Sequence, residues 1–364
     1  MINYGFIDKG LCYNQNNMSV LSGISDFFGL DIGSTAVRLV QLRGNSTNKS
    51  LVRYAYVPID AKISQSDAKA DQQKLADVIA DLVAKSQVSS KNVAVGIPSQ
   101  RVFTTVADID RLSKAELSKS IHFQIDSLIP TTVEESKIDW ALIGDSPQDK
   151  TKVEVLLSSV NSSYVEKLLD ILEGIGLNVI AFEPDTMALC RALVAPGTTA
   201  PQVVIDMGSK STDLVIVMNE VPRLTRSIAT GVDSVVRSAA QNLNIDEKQA
   251  EQLTFKFGLG KDKLEGQVYQ AIISTVDLIV TEIEKSIKFF TTRYPDAKID
   301  RIIVTGGASA LPEFPVYLSN KFGINIEIGN AWRNVVYDPS RQSELLAVSN
   351  HFGVAAGLAE RKDG

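Results

Sequence analysis

The sequence predicts an α/β protein of two sister domains, each opening with the same strand-turn-strand unit, and a small α+β module set into the first. Three observations carry this expectation. One motif occurs twice, at Leu30–Val40 (LDIGSTAVRLV) and Ile205–Val215 (IDMGSKSTDLV); read from Asp31 and Asp206, the copies share Asp, Gly, Ser, Leu and Val at the same offsets. A third Gly-rich turn follows a strand-like run at Ile302–Pro312 (IIVTGGASALP). The length, 364 residues, exceeds what a single hydrophobic core organises.

Composition narrows the class. With 44% apolar and 22% charged residues the chain is globular rather than disordered. A net charge of −6 without a Lys/Arg cluster argues against nucleic acid as a partner, because neutralising phosphates needs concentrated positive charge. Cys12 and Cys190 make no disulfide framework, and His122 and His351 assemble no zinc site at any usual spacing. No run approaches the roughly twenty apolar residues of a membrane span, and no basic start with an apolar stretch marks a secretory signal. A cytoplasmic protein is expected.

Residues 1–28 read as an N-terminal extension. The first seventeen are polar and Asn-rich, with Met18 an alternative start, and are excluded from fold reasoning. In Ser19–Gly29, residues Val20, Leu21, Ile24, Phe27 and Phe28 share one helical face, read as a helix packed beside the first strand; no Lys or Arg borders that face as a membrane-surface helix wants.

The first domain, 29–97 and 177–199, reads as a strand from Gly29, a turn at Gly44-Asn45 and a strand at Leu51–Val57. A helix at Asp71–Lys85 with Leu75, Val78, Ile79, Leu82 and Val83 inward precedes a strand at Asn92–Ile97. The insertion, 98–176, reads as strand Val102–Ala107, helix Lys114–Leu128, strands Ile138–Ile143 and Lys152–Val160, and helix Ser163–Glu173, opened by a Ser163/Glu166 capping box. A strand at Asn178–Ala181 and a helix at Pro184–Val194 return to the first domain, and Pro196–Pro201 is a breaker-rich hinge.

The second domain, 200–350, copies the first: strand to Val217, turn at Asn219-Glu220, strand Val221–Ala229 and helix Ser234–Asn242. Helices at Lys248–Gly258 and Ile272–Tyr294 precede the third turn. A connecting segment, 351–364, is rich in small residues.

The repeated motif suits phosphate gripped from two sides. Gly33 and Gly208 let backbone N–H groups approach an anion, and Ser34, Thr35, Ser209, Ser211 and Thr212 add hydroxyl donors. Asp31 and Asp206 each end a buried strand, where a carboxylate suits a hydrated Mg²⁺ held against nucleotide phosphates. The flat backbone of Gly306, Gly307 and Ala308 suits a purine and ribose. A triphosphate in the crevice between the sister folds is the expectation.

In order, the three stretches resemble the phosphate-1, phosphate-2 and adenosine motifs of the actin, sugar kinase and heat-shock chaperone ATPase superfamily. The span Leu30–Glu360 resembles the PilM family, the FtsA-related proteins of type IV pilus assembly. Residues 98–176 stand where PilM and FtsA share an inserted subdomain that actin lacks, and Ile121–Trp140 is similar to the PilM pattern, with Thr131 where an aromatic commonly follows the Pro.

The resemblance implies an actin-like fold of duplicated ribonuclease H-like domains, with ATP and Mg²⁺ bound and slow or negligible turnover. Phe182-Glu183-Pro184-Asp185 resembles the first connecting helix of the superfamily, which makes Glu183 and Asp185 candidates for orienting an attacking water; the plainer reading is acidic residues at a helix N-terminus, worth about 0.3 to 1 kcal/mol. Lys248–Gly258 resembles an A-E-x-x-K helix that gives Glu251 to the ribose, with Thr254 in the place of the Lys and Lys256 two residues on. His351–Glu360 resembles the second connecting helix.

The implied partner is the N-terminal cytoplasmic peptide of a PilN-type inner-membrane protein, docked between the inserted module and the first domain, with other pilus assembly (or related type II secretion) proteins beyond it. Recruitment to the inner face of the cytoplasmic membrane would run through that partner, and self-association stays open. Two rivals are weighed. A small-molecule kinase needs a base such as Asp108 or Asp110, yet both fall in the insertion. An FtsA-like filament-forming tether carries a terminal basic amphipathic helix, which Arg361-Lys362-Asp363-Gly364 does not supply.

Overall fold

A computed structural model describes residues 26–44 and 48–361. Outside the described residues lie the excluded first seventeen with Cys12, the segment Ser19–Gly29 up to residue 25, and Asn45 of the first predicted turn.

The first sheet starts with an antiparallel meander of β1 (Phe28–Ile32), β2 (Ala36–Gly44) and β3 (Lys49–Pro58). The strand expected from Gly29 starts one residue earlier, at Phe28, which was read on the face of the preceding helix, because a fully buried FGLDI run satisfies its backbone through ladders on both sides. After α1 (Ala61–Ser64) and α2 (Lys69–Ser86), β4 (Asn92–Ile97) runs parallel to β1. The next elements are β5 (Val102–Asp110), α3 (Lys114–Leu128), β6 (Ser136–Asp145), β7 (Lys152–Asn161) and α4 (Ser162–Gly174). Then β8 (Asn178–Pro184) pairs parallel with β4 and leads into α5 (Asp185–Leu193).

The second sheet repeats the plan. β9 (Gln202–Met207), β10 (Thr212–Met218) and β11 (Val221–Ile228) form the meander. After α6 (Val232–Leu243), α7 (Glu247–Phe257) and α8 (Gln267–Arg293), β12 (Arg301–Gly306) lies parallel to β9; after α9 (Phe314–Phe322), β13 (Asn325–Ile328) lies parallel to β12. The chain closes with β14 (Val335–Val336), α10 (Gln342–Val348) and α11 (Gly353–Ala359). The sheet orders β3-β2-β1-β4-β8 and β11-β10-β9-β12-β13 are one topology used twice, with β14 added at the edge of the first. The duplication expected from the motif is therefore a duplication of sheets.

The chain divides into two compact units: the chain up to Ala195 with Ala331–Leu345 and from Val354 on, and Pro196–Asn330 with Leu346–Gly353. In the first, Leu30, Leu39, Val95 and Ile97 of the sheet pack with Leu75, Ile79 and Leu82 of α2 and with Val165, Leu168 and Leu172 of α4. A separate small core joins α3 to the sheet β5-β7-β6 through Ile121, Ile125, Val155 and Leu157. In the second unit, Val203, Ile205 and Val304 meet Ile272, Val276, Ile279 and Ile283, which form an apolar stripe along α8.

Helix entry differs at one predicted cap. α4 is capped by Asn161, whose side chain accepts from the Ser163 N–H at 2.9 Å, in place of the Ser163/Glu166 box. The capping box is at α3, where Glu116 accepts from the Ser113 N–H at 3.2 Å. α11 packs closely on α5: a Cβ at Gly357 would collide with the Ala188 carbonyl, so only glycine permits the approach.

Candidate functional site

The first turn joins β1 to β2. Gly33 N–H donates to Ala36 O at 3.0 Å, Ser34 is half-buried and Thr35 exposed. Asp31 and Arg38 stand directly opposite across the hairpin, and Arg38 Nη1 reaches Asp31 Oδ2 at 3.2 Å. The same guanidinium lies 3.1 Å from where a Cβ of Gly33 would sit. Burial pushes the Asp31 carboxyl up, and Arg38 draws it part of the way back. The turn thus sets a guanidinium beside a glycine whose own N–H closes the turn.

The second turn joins β9 to β10, and there the position opposite Asp206 holds Asp213. Burial pushes the Asp213 carboxyl up to about 6, against the lowering effect of the Ser227 and Ser211 hydroxyls. Its Oδ1 is buried with no hydrogen-bond partner. Two further hydroxyls are already engaged: Ser209 Oγ donates to Asp233 Oδ1 at 2.6 Å and Thr212 Oγ1 to Thr230 O at 2.8 Å. Lys210 Nζ pairs with Asp233 Oδ2 at 2.7 Å. The N–H groups of Val232 and Asp233, opening α6, donate to Gly208 O and Ser209 O, each at 3.0 Å, which fastens the turn to the helix.

The third turn leaves β12 at Gly306, whose φ of +77° favours glycine. A Cβ there would also collide with Asp206 Oδ1, so the missing side chain is what makes room for that carboxylate. Gly307 is half-buried against Val232, and Ala308 lies in the short 3₁₀ turn Gly307–Ala310. Asn350 ties the turn down, its Nδ2 donating to Ser309 Oγ at 2.9 Å and to Gly306 O at 3.3 Å.

Glu251 is exposed on α7, and Thr254 on the same helix is fully buried, where a lysine ammonium would lose its water. Lys256 is exposed, over the Phe257 ring at 5.3 Å.

Glu183 lies near the end of β8. It has no exposure and is held by Arg191, whose guanidinium forks onto both its oxygens, and by Arg361 Nη1 at 2.9 Å. Asp185 opens α5 with Oδ1 against Gly96. Asp108 and Asp110 are on β5 of the inserted sheet.

The structure thus brings Asp206, Asp213 and Gly306 together in the second unit and Asp31, Gly33 and Arg38 together in the first. Arg38, Asp213 and Asn350 were not singled out by sequence reasoning. A signal for two of them existed: each stands the same distance after its motif Asp, seven residues in the first copy, which a tight hairpin turns into a cross-strand pair. Among the described residues no group of three or more His, Cys, Asp or Glu side chains is arranged to hold a metal. Two carboxylates beside a space that glycine keeps open still suit Mg²⁺, which retains several waters. Among the described residues, no helix is long and apolar enough to cross a membrane.

Solved structures share this fold. A PilM-PilN type IV pilus biogenesis complex matches with a TM-score of 0.77 and 23% identity, over 91% of this chain and 97% of that chain. The ethanolamine utilization protein EutJ from Carboxydothermus hydrogenoformans matches at 0.55 and 14%, over 92% and 88%. MreB5 of Spiroplasma citri bound to ADP matches at 0.53 and 13%, over 91% and 94%. The architecture is the actin-like one. A family model described as type IV pilus assembly protein PilM matches residues 29–363, and the chain therefore belongs to the PilM family of type IV pilus assembly proteins.

Proposed function

We propose that the chain is an ATP-binding scaffold of pilus assembly that captures the cytoplasmic N-terminal peptide of a PilN-type membrane protein at its inserted module and is brought to the inner face of the cytoplasmic membrane by that capture. The observation that carries the reading is the family match across residues 29–363, and the likeness to a complex whose title names PilN supports it. An extended peptide would gain affinity from backbone hydrogen bonds and selectivity from side-chain pockets.

In this reading Gly33, Ser34 and Thr35, with Arg38, and Gly208, Ser209, Ser211 and Thr212 attend the phosphates. Asp206 holds water-clad Mg²⁺, which would screen phosphate charge, and Gly306, Gly307 and Ala308 border the adenosine. Glu183 fastens the C-terminal segment and orients no water, so turnover is slow. Calorimetry with the partner's tail peptide, with and without Mg-ATP, tests the scaffold reading. Saturable binding that depends on nucleotide is expected; failure to bind in either state, with rapid phosphorylation of a small hydroxylated substrate, would favour the kinase reading.

A further inference from the structure

We infer that the outward seam of α8 is a self-complementary surface, on which a second copy of this chain seats its own α8 in antiparallel orientation. The surface belongs to the second unit alone and does not depend on the nucleotide reading.

Spacing along the helix defines the seam. The core side of α8 is taken by Ile272, Val276, Ile279, Ile283 and Phe290. On another side Thr275, Leu278, Glu282, Lys285, Phe289 and Thr292 follow one another at steps of 3, 4, 3, 4 and 3, the spacing of a helix that packs along another helix. Leu278 is 65% exposed and Phe289 55%, although both are large and apolar. Between them Lys285 Nζ meets Glu282 Oε1 at 2.6 Å, in a pair that keeps much of both side chains in solvent. Thr275 is half-buried and Thr292 exposed.

The order of residues along the seam identifies its occupant. Turned antiparallel about the point between Ile283 and Glu284, a copy brings Thr275 to Thr292, Leu278 to Phe289 and Glu282 to Lys285. Each layer then sets hydroxyl on hydroxyl, apolar on apolar or opposite charges together, and the two ion pairs close into an alternating group of four charges. A parallel copy would set Glu282 on Glu282 and Lys285 on Lys285, like charge on like. A two-fold interface requires that residue i meet j and j meet i, a match that an unrelated partner does not need. Two apolar anchors per chain around a charged centre make a small interface, so the association belongs to the transient class that buries less than about 1,200 Å².

Sedimentation velocity of the full chain tests the inference. Wild type is expected to move from monomer toward dimer as its concentration rises from about 1 to about 200 μM. Glu282→Lys and Lys285→Glu each bring four like charges to the dimer centre, and each is expected to weaken self-association by about ten-fold or more. An equimolar mixture of the two variants is expected to recover it, because every charge then meets its opposite. A dimer indifferent to either reversal, or variants that do not recover on mixing, would overturn the inference; a wild type that stays monomeric would overturn it and leave the seam to a different partner. If a reversal does not fold by circular dichroism, Leu278→Ala and Phe289→Ala decide in its place. Each is expected to weaken the dimer by about five-fold or more, and an unchanged dimer in both would overturn the inference.

Discussion

The two units carry the same hairpin and treat its buried carboxylates in opposite ways. In the first, Asp31 meets Arg38, and deeper in the same unit Glu183 meets Arg191 and Arg361. In the second, Asp206 meets Asp213. A carboxylate compensated by a guanidinium is settled as structure. A carboxylate opposed by another is the contrary case, a like-charge pair at the same cross-strand position. Duplication supplied two equal frames, and one position per frame, Arg38 in the first and Asp213 in the second, decides the charge that faces the motif Asp.

The largest expected effect comes from breaking the most buried compensation. Glu183→Gln leaves two buried guanidinium groups short of a partner and is expected to cost about 3 kcal/mol in chemical denaturation, with ATP affinity unchanged. A loss of ATP hydrolysis without loss of stability would return Glu183 to the chemistry. Arg38→Ala orphans a carboxylate that is mostly buried, and about 2 kcal/mol is expected, between the fully buried and surface cases. A neutral result would mean that the first unit does not need its cation.

The first unit also holds one carboxylate it compensates poorly. Glu360 accepts from Asn334 Nδ2 at 3.3 Å, and its Oε1 is buried with no hydrogen-bond partner. Burial pushes it up to about 7, against the lowering influence of Asn334, Arg191 and Lys49. Folded chains therefore hold a proton that unfolded chains release between the ordinary value of 4.5 and about 7. The sign follows: this contribution to stability is full below that window, falls as pH rises through it and is gone above. Thermal melts of wild type and Glu360→Gln at either end of the window should show the decline in the wild type only; parallel profiles would remove Glu360 as its source.

The smallest effect is the sharpest contrast. In metal-free buffer, Asp213→Asn relieves a like-charge pair and is expected to raise stability by about 0.5 kcal/mol, opposite in sign to Arg38→Ala at the matching position. Destabilisation of the same size as Arg38→Ala would erase the distinction between the units.

Much of the frame was legible because its signals are local. Runs such as Val203–Ile205 and Ile302–Val304 are buried on both faces and read as central strands, and the stripe of α8 announces its packed side. The capping of α4 was misplaced because Ser163 and Glu166 satisfy the pattern, while Asn161, two residues before Ser163, accepts from the Ser163 amide. The site was half legible. Asp31, Asp206 and Gly306 stand out by residue type, but Arg38 and Asp213 gain meaning only from hairpin register, and Asp206 and Gly306 meet only through β9–β12 pairing. Glu183 was read by its neighbours in sequence; what fixes it is Arg361, 178 residues away, which no spacing argument can see.

The central claim, that the doubled hairpin binds one magnesium nucleotide with its metal on the second copy, is tested most directly by titrating ATP into the full chain with and without Mg²⁺, for wild type and Asp206→Asn. The account predicts one ATP per wild-type chain, tightened about ten-fold or more by Mg²⁺, and no Mg²⁺ dependence in the folded variant. Equal ATP affinity in all four titrations, or no ATP binding by the wild type, would contradict it.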